Sequence, residues 1–203
     1  MPRPPRAFLF DIGNVLVTFD FGRFEARLRD RCGRFGAAEA GEFEAMKVAL
    51  ERGEVAGDAF VARAIELFEF RGNPAEFRAI WNDIFAANAA MEPVLARLRG
   101  RVPLYLFSNT SDLHHAFLVA EFGVFGHFDG GIFSYRARSM KPDDAIYRAA
   151  VDELGIDPAE TIYIDDLPAN IAAGKRHGFR AIQYDHRDHA ALECALERAL
   201  GVI

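Results

Sequence analysis

The sequence predicts an α/β fold, in which a doubly wound, Rossmann-like parallel sheet forms the core and an all-α helical bundle is inserted as a cap. Short apolar segments alternate with amphipathic segments along most of the chain, which is the pattern of strand–helix–strand units. Three of the apolar segments are apolar on both faces, as central strands covered by helices on each side are. One long segment near the N-terminus has helical patterns only.

The strand patterns occupy five short segments. The first, second and fourth of these are the segments that are apolar on both faces, so we place them at the centre of the sheet. The fifth is the weakest. In chain order the segments are residues 7–10, 102–107, 131–133, 161–164 and 180–184.

Helical patterns separate these strands. Pro93 stands in the first turn of one of them, where proline is tolerated, and Gly155 and Gly178 follow the ends of two others, as glycine commonly does. The core helices are predicted at residues 91–99, 112–122, 143–154, 169–177 and 188–200.

The segment from about residue 21 to 88 contains no strand pattern. We predict helices there over residues 24–31, 39–50, 58–70 and 74–87. Because this block follows directly after the first strand, we interpret it as a helical lid over the end of that strand. We therefore predict a separate helical unit that is inserted into the α/β core.

The composition excludes several classes of function. The chain has 203 residues and a formal net charge of −6, whereas nucleic-acid-binding domains usually present a basic face. It has no signal-peptide pattern and no apolar run of about 20 residues for a membrane span. Its two cysteines lie far apart and predict no disulfide. We expect a cytoplasmic protein, and the sequence leaves open whether it is a monomer or a homodimer.

Polar residues stand at the ends of the predicted strands or, in the case of Lys141, in the loop that follows the third strand. In open α/β sheets ligands bind at the carboxyl ends of the strands, so we expect these side chains to converge on one crevice. In chain order they are Asp11, Ser108, Asn109, Lys141, Asp165 and Asp166.

Three acidic residues in one crevice repel one another, and a positive charge is needed to offset them. Lys141 is one candidate, and a divalent cation is the other. Mg²⁺ prefers carboxylate oxygens, water and phosphate, whereas clustered His or Cys ligands for zinc are lacking. We interpret His114 and His115 as helix-surface residues, with a place for one of them at the rim of the pocket as the alternative.

Four segments resemble, in chain order, the four motifs of the haloacid dehalogenase-like hydrolase superfamily, and residues 18–90 resemble its four-helix cap. The resemblance thus implies two domains, a core of residues 1–17 and 91–203 and a cap of residues 18–90. Within the superfamily, "DIGNVLV", "ERGEVAGDAF" and "SNTSDLHHAF" are most similar to the bacterial alpha-D-glucose-1-phosphate phosphatase group. A more distant likeness is to the phosphatase domain of soluble epoxide hydrolases. The four motif segments are "FDIGNVLV", "LFSNT", "MKPDDAIY" and "YIDDLPANI".

The resemblance implies a magnesium-dependent phosphomonoester hydrolase that acts through an aspartyl-phosphate on a small phosphorylated metabolite, such as glucose 1-phosphate. Asp11 would be the nucleophile, and Lys141 would neutralise the transferring phosphoryl group. The resemblance further implies phosphoryl binding by Ser108, Asn109 and Lys141, metal binding by Asp11, the Gly13 carbonyl, Asp166 and Asp165, and orientation of Asp166 or Lys141 by Asn170.

Position 13 departs from the pattern of many phosphatases of the superfamily, which carry Asp two residues after the nucleophile as general acid and base. Gly13 and Asn14 both tolerate a positive φ, so we expect the turn to be kept without that acid. We expect that a good leaving group, such as that of a sugar 1-phosphate, makes protonation unnecessary; the alternative is that another residue replaces the acid. Asp20 and Glu51 are the candidates for the replacement.

Two other functions remain open at this point. A metal-independent haloacid dehalogenase would need no acid at position 13, but the adjacent Asp165 and Asp166 would then repel an anionic substrate. A non-catalytic phospholigand-binding protein is the other. If the protein is a phosphatase, we expect residues 51–58 to shape its leaving-group pocket, together with aromatic side chains such as Phe19, Phe21, Phe24 and Trp81.

Overall fold

The computed structural model describes residues 4–201, so residues 1–3, 202 and 203 of the predicted core lie outside the described residues. The strands agree with the predicted segments to within two residues, and two short strands are additional. They are β1 (Ala7–Phe10), β2 (Val17–Phe19), β3 (Phe85–Ala87), β4 (Leu104–Ser108), β5 (Gly130–Phe133), β6 (Thr161–Asp165) and β7 (Arg180–Gln183).

The core sheet is parallel, with the strand order β5-β4-β1-β6-β7. The three strands predicted to be central are the central ones. Alternate residues of β1 face opposite sides of the sheet. Phe8 and Phe10 pack into one apolar cluster, and Leu9 packs into another. Helices cover both faces, which confirms the predicted α/β class.

The helices begin and end close to the predicted positions. Ser111 caps one of them by accepting a hydrogen bond from the His114 backbone N–H at 3.2 Å, and Gly155 ends another in the left-handed conformation. They are α1 (Phe21–Arg29), α2 (Ala37–Glu51), α3 (Gly57–Phe68), α4 (Pro74–Asn82), α5 (Met91–Leu98), α6 (Asp112–Glu121), α7 (Ser134–Ala137), α8 (Asp144–Leu154), α9 (Pro168–Arg176) and α10 (His189–Leu200).

Helices α1 to α4 surround an apolar cluster of their own, separate from the two clusters that flank the sheet. Trp81 lies at its centre and contacts the rings of Phe24, Phe43 and Phe60 at 5.1–5.5 Å. Most of the phenylalanines of this segment therefore build the interior of the helical bundle. The limits of the cap, residues 18–90, stay a prediction.

Strands β2 and β3, the two segments that connect the sheet to the helical bundle, pair with each other. The sequence did not predict this pairing. Strands β2 and β3 are antiparallel, with Val17 opposite Ala87 and Phe19 opposite Phe85. The prediction that residues 21–88 contain no strand was therefore wrong, and the predicted helix over 74–87 ends at Asn82. Strand β3 forms by pairing with β2. Because β2 lies far away in the sequence, the local pattern of residues 85–87 does not reveal the strand.

Two further observations concern the whole described range. Within residues 4–201, no helix combines the length and the apolar composition that a bilayer crossing requires. Cys32 is buried and Cys194 is exposed, and both are free thiols, as predicted.

Candidate active site

The ammonium group of Lys141 is the centre of a buried charge cluster at the carboxyl ends of the strands. Its Nζ lies 2.6 Å from Asp165 Oδ2, 2.6 Å from the Phe107 carbonyl oxygen and 3.0 Å from Asp11 Oδ1. The rings of Phe107 and Tyr163 flank it at 5.1 and 5.7 Å. Three oxygens thus match the three donors of an ammonium group, which fixes the position of the charge.

The backbone of Lys141 is held by the loop that follows β4. The side-chain amide of Asn109 donates to the Lys141 carbonyl at 2.9 Å and accepts from the Lys141 N–H at 2.8 Å. The Ser134 hydroxyl bonds the N–H and the carbonyl of Thr110 at 2.9 and 3.0 Å. The ends of β4 and β5 and the lysine loop are therefore tied together.

Asp165 is fully buried, and donors surround both of its carboxylate oxygens. Besides Lys141, the Tyr163 hydroxyl donates at 2.5 Å, the Asn170 amide at 3.0 and 3.2 Å, and the Leu167 N–H at 2.9 Å. Burial alone would raise the pKa of Asp165, but Lys141 and the other donors outweigh it and lower the pKa. Asp165 is therefore an ionised partner that holds Lys141.

Asp11 and Asp166 complete the acidic group. One ligand atom from each of Asp11, Asp165 and Asp166 lies within 4.8 Å of the others. Burial raises the pKa of Asp11 to about 6, although Lys141 opposes the shift. Burial also raises the pKa of the half-buried Asp166, which accepts a hydrogen bond from the Asn14 amide at 3.0 Å.

These residues fit a divalent cation. Three carboxylates and one ammonium group lie in this cluster, so the ionised cluster carries excess negative charge in a buried place. Burial is the main cause of the raised pKa values of Asp11 and Asp166, and repulsion from Asp165 adds to both. Carboxylate oxygens are the ligands that Mg²⁺ takes in proteins. Asp165 already uses both of its oxygens, so its predicted metal role is less favoured than those of Asp11 and Asp166. The metal role of the Gly13 carbonyl stays a prediction.

The turn after Asp11 depends on Asn14 for its backbone and on Gly13 for space. Asn14 takes the left-handed conformation with φ of 53°, and Gly13 does not. A Cβ atom at position 13 would lie 2.8 Å from Cε1 of Phe19. The Phe19 ring therefore occupies the space that a side chain at position 13 would need.

A cavity of about 80 Å³ lies beside this turn, between the core and the helical bundle. Its core side includes Gly13, Ser108 and Asn109, and its other side includes Phe19, Phe21 and Glu51. Phe19, Phe21 and Glu51, which the sequence analysis assigned to a leaving-group pocket, thus line one cavity, and its role as that pocket stays a prediction.

Two of the predicted pocket aromatics lie elsewhere, because Phe24 and Trp81 are buried inside the bundle cluster. Asp20 does not line the cavity either. Its carboxylate caps α1 by accepting from the Gly22 N–H at 2.8 Å.

His114 is buried, so the interpretation of it as a helix-surface residue was wrong, and it lines the cavity as the alternative expected. Its ring stacks on Trp81 with centroids 4.6 Å apart, and Nε2 lies 3.3 Å from the Trp81 carbonyl oxygen. Since a carbonyl only accepts, we assign the proton to Nε2. Burial lowers the pKa of His114 to about 4, so the ring is neutral near pH 7. His115 is half-buried, with Nδ1 3.0 Å from the Tyr135 hydroxyl.

The structure brings Asp11, Lys141, Asp165 and Asp166 together as predicted, and it changes the expected partners of two other residues. Asn170 contacts Asp165, not Asp166 or Lys141, because its amide lies under the carboxylate that ends β6. The Asn109 amide is engaged by the Lys141 backbone, so its predicted bond to a phosphoryl oxygen would use its remaining hydrogen. That bond and the one predicted for Ser108 stay predictions.

Sequence reasoning missed Tyr163 and Ser134. Tyr163 precedes Asp165 by two residues on the same strand, so both side chains project from the same face of the sheet. That spacing was a usable signal. Ser134 directly follows β5, and a polar residue at a strand end was the same signal that identified Asp11.

The sequence pattern of the haloacid dehalogenase-like hydrolases matches residues 5–178. The chain therefore belongs to the haloacid dehalogenase-like hydrolase family, and it is a hydrolase. Among curated proteins, the D-ribitol-5-phosphate phosphatase of Bacteroides thetaiotaomicron is 26% identical over 188 residues, which cover 86% of this chain and 89% of that protein.

Solved structures share the fold over nearly the whole chain. The HAD family enzyme bt-2542 of Bacteroides thetaiotaomicron, in complex with magnesium and inorganic phosphate, has a TM-score of 0.78 and 24% identity, covering 88% of this chain and 93% of its own. A HAD-like family hydrolase of Porphyromonas gingivalis has a TM-score of 0.80 and 23% identity, covering 96% of this chain and 98% of its own.

Proposed function

We propose that the protein is a magnesium-dependent phosphomonoester hydrolase that acts on a small phosphorylated metabolite through an aspartyl-phosphate at Asp11. The observation that carries this proposal is the buried Lys141 ammonium, which contacts both Asp11 and Asp165 at the end of the central strand. A fixed cation beside a carboxylate nucleophile is suited to a phosphoryl group, whose transfer depends on positioning and on charge neutralisation.

Two observations support magnesium as the cofactor. The residues that would hold it, Asp11 and Asp166 with the Gly13 carbonyl, supply oxygen ligands in a cluster with excess negative charge. The structurally similar bt-2542 was solved with magnesium and inorganic phosphate. When bound, the ion would supply Lewis-acid neutralisation of the phosphoryl oxygens.

The proposed reaction has two steps. In the first step an Asp11 oxygen attacks phosphorus, the bond from phosphorus to the leaving oxygen breaks, and that oxygen takes up a proton. In the second step a water oxygen attacks the same phosphorus, and the bond to Asp11 breaks to release inorganic phosphate. Lys141 neutralises the charge that develops during both steps, and Asp165 keeps Lys141 in place.

A polyol or sugar phosphate is the substrate class that we propose. The curated relative is a D-ribitol-5-phosphate phosphatase, and the motifs of this chain resemble those of glucose-1-phosphate phosphatases. The cavity of about 80 Å³ between the aromatic side chains of Phe19 and Phe21 and the strand ends favours a small leaving group.

The experiment is a panel of phosphomonoesters that includes ribitol 5-phosphate and hexose 1-phosphates, assayed for phosphate release with Mg²⁺ and with EDTA. We expect release that EDTA abolishes and Mg²⁺ restores. Asp11→Asn should lose turnover, while Asp152→Asn, the same change at an exposed carboxylate of α8, should keep it.

Two outcomes would contradict the proposal. Release of halide from a haloacid in the presence of EDTA would indicate dehalogenase chemistry. Binding of inorganic phosphate without turnover of any ester would indicate a binding protein, provided that Asp11→Asn binds equally well.

A further inference from the structure

With an alkoxide leaving group, such as that of a polyol phosphate, the proposed reaction needs a proton donor that the turn after Asp11 does not provide. An alkoxide is a poor leaving group, and general acid assistance is typically worth about 10²–10⁴ in rate. Gly13 carries no side chain, and the Phe19 ring fills the adjacent space. A donor must therefore reach the leaving oxygen from another wall of the cavity.

Glu51 is a carboxylic acid on the opposite wall of that cavity. It is the last residue of α2 and is partly buried, and its side chain has no hydrogen bond or ion pair to any residue in the part of the chain that the structure describes. Burial raises its pKa, Glu44 adds to the shift, and Lys47 opposes it. A carboxyl group with a raised pKa and no structural partner is free to exchange a proton.

The turn after Glu51 docks this part of the bundle on the core. Gly53 takes a left-handed φ of 69°, and a Cβ atom there would lie only 2.0 Å from the Tyr135 carbonyl oxygen. Nη2 of Arg52 lies 3.8 Å from Oδ2 of Asp143, and Asp143 follows Lys141 by two residues. The end of α2 is therefore packed against the loop that carries the active-site lysine.

The other titratable groups near the cavity are committed to structural roles. The Asp20 carboxylate caps α1 at the Gly22 N–H. The His114 ring faces the cavity but is neutral, and its Nε2 bonds the Trp81 carbonyl. Lys47 pairs with Glu44 at 2.7 Å, and its ammonium lies over the Phe21 ring.

We propose that Glu51 is the general acid and base of this active site, an inference that rests on the proposed function. The Glu51 carboxyl gives its proton to the leaving oxygen as the bond from phosphorus to that oxygen breaks. The resulting carboxylate then takes a proton from the water that attacks the aspartyl-phosphate, which restores the protonated form.

The test compares leaving groups in a Glu51→Gln variant. The alkyl ester is ribitol 5-phosphate, which releases an alkoxide that needs a proton. If the wild-type enzyme prefers another alkyl ester of the panel, that ester is used instead. p-Nitrophenyl phosphate releases a stabilised phenolate that needs none. We expect kcat/KM for the alkyl ester to fall by about 10²–10⁴. The first-turnover burst of p-nitrophenol should keep its rate, while later turnovers slow down because the base for water is missing.

Three controls make the result interpretable. Glu54→Gln removes an exposed carboxylate three residues away and should leave both substrates unaffected. Glu51→Asp should recover part of the alkyl-ester activity. Binding of inorganic phosphate by Glu51→Gln should match the wild type, which shows that the variant is folded.

Alkyl-ester turnover within threefold of the wild type in Glu51→Gln would overturn the assignment. Equal losses of the p-nitrophenol burst and of the alkyl-ester rate would also overturn it, because the variant would then lack phosphoryl transfer itself. The proposed function fails in a different way, namely when the wild-type enzyme hydrolyses neither ester or when Asp11→Asn retains turnover.

Discussion

Because His114 is buried and neutral, the free energy of unfolding should depend on pH. A single substitution at His114 separates this contribution from the others. Its pKa is lowered from 6.5 to about 4, with burial as the main cause. Between these values the unfolded chain binds a proton that the folded chain does not, so the free energy of unfolding falls as the pH falls. From pH 6.5 to pH 5 the loss amounts to about 2 kcal/mol, at about 1.4 kcal/mol per pH unit.

Asp11 changes stability in the opposite direction over part of this range. Its pKa is raised from 3.8 to about 6, so the folded chain binds the extra proton, and lower pH favours folding. The pH dependence of the wild-type protein alone therefore mixes both contributions. The difference between the wild type and a His114 variant removes the Asp11 contribution, because Asp11 is present in both.

The assay is urea unfolding at pH 8 and pH 5 for the wild type, His114→Phe and His114→Gln. Phe keeps an aromatic ring against Trp81, and Gln keeps an amide donor for the Trp81 carbonyl. In both variants the loss of unfolding free energy from pH 8 to pH 5 should be about 2 kcal/mol smaller than in the wild type. An unchanged pH dependence in both variants would refute the assignment of His114 as a neutral buried group.

Other changes have equally definite outcomes. Tyr163→Phe should lower the free energy of unfolding in urea by about 1–3 kcal/mol, because the buried Asp165 carboxylate loses one donor and keeps the others. Asn170→Asp should destabilise more than Asn170→Ala in the same assay, because it places a second negative charge against Asp165. Gly13→Asp should lower the melting temperature, and adding Phe19→Ala should recover part of the loss, because the new Cβ would meet the Phe19 ring.

The core of the fold was predictable because its signals are local. A strand such as β1, which is apolar at every position, has to be covered on both faces, and this requirement placed it at the centre of the sheet. Once the strands are parallel, their carboxyl ends share one edge. Asp11 and Asp166, which follow neighbouring strands, are therefore expected to meet there. Lys141 lies in the loop beyond β5 and reaches the same edge through that loop, which Asn109 holds.

Strand β3 was not predictable, because its residues show no period-2 pattern over only three positions. Phe85 pairs with Phe19, which lies 66 residues earlier, and only the docking of the two connecting segments brings them together. The same limit applies to Gly13. Its sequence position showed that an acid was missing, but only the structure shows that Phe19 occupies the space.

Hydrogen-bond partners were the least predictable part of the site. The resemblance implied that Asn170 orients Asp166 or Lys141, but it did not show through which group. The structure shows that the Asn170 amide donates to the fully buried Asp165, which in turn bonds Lys141. His114 was interpreted as a helix-surface residue because the sequence places no supporting metal ligands with it. Its burial results from the packing of α4 against α6, which brings Trp81 onto its ring.

The central claim is that Asp11 carries the phosphoryl group during turnover. Rapid acid quenching of the enzyme during turnover of p-nitrophenyl phosphate, followed by peptide mass spectrometry, tests it directly. The account predicts an added phosphoryl group on the peptide that contains Asp11, and none in Asp11→Asn or in enzyme treated with EDTA. Turnover with this peptide unmodified at every quench time, together with activity retained in Asp11→Asn, would contradict it.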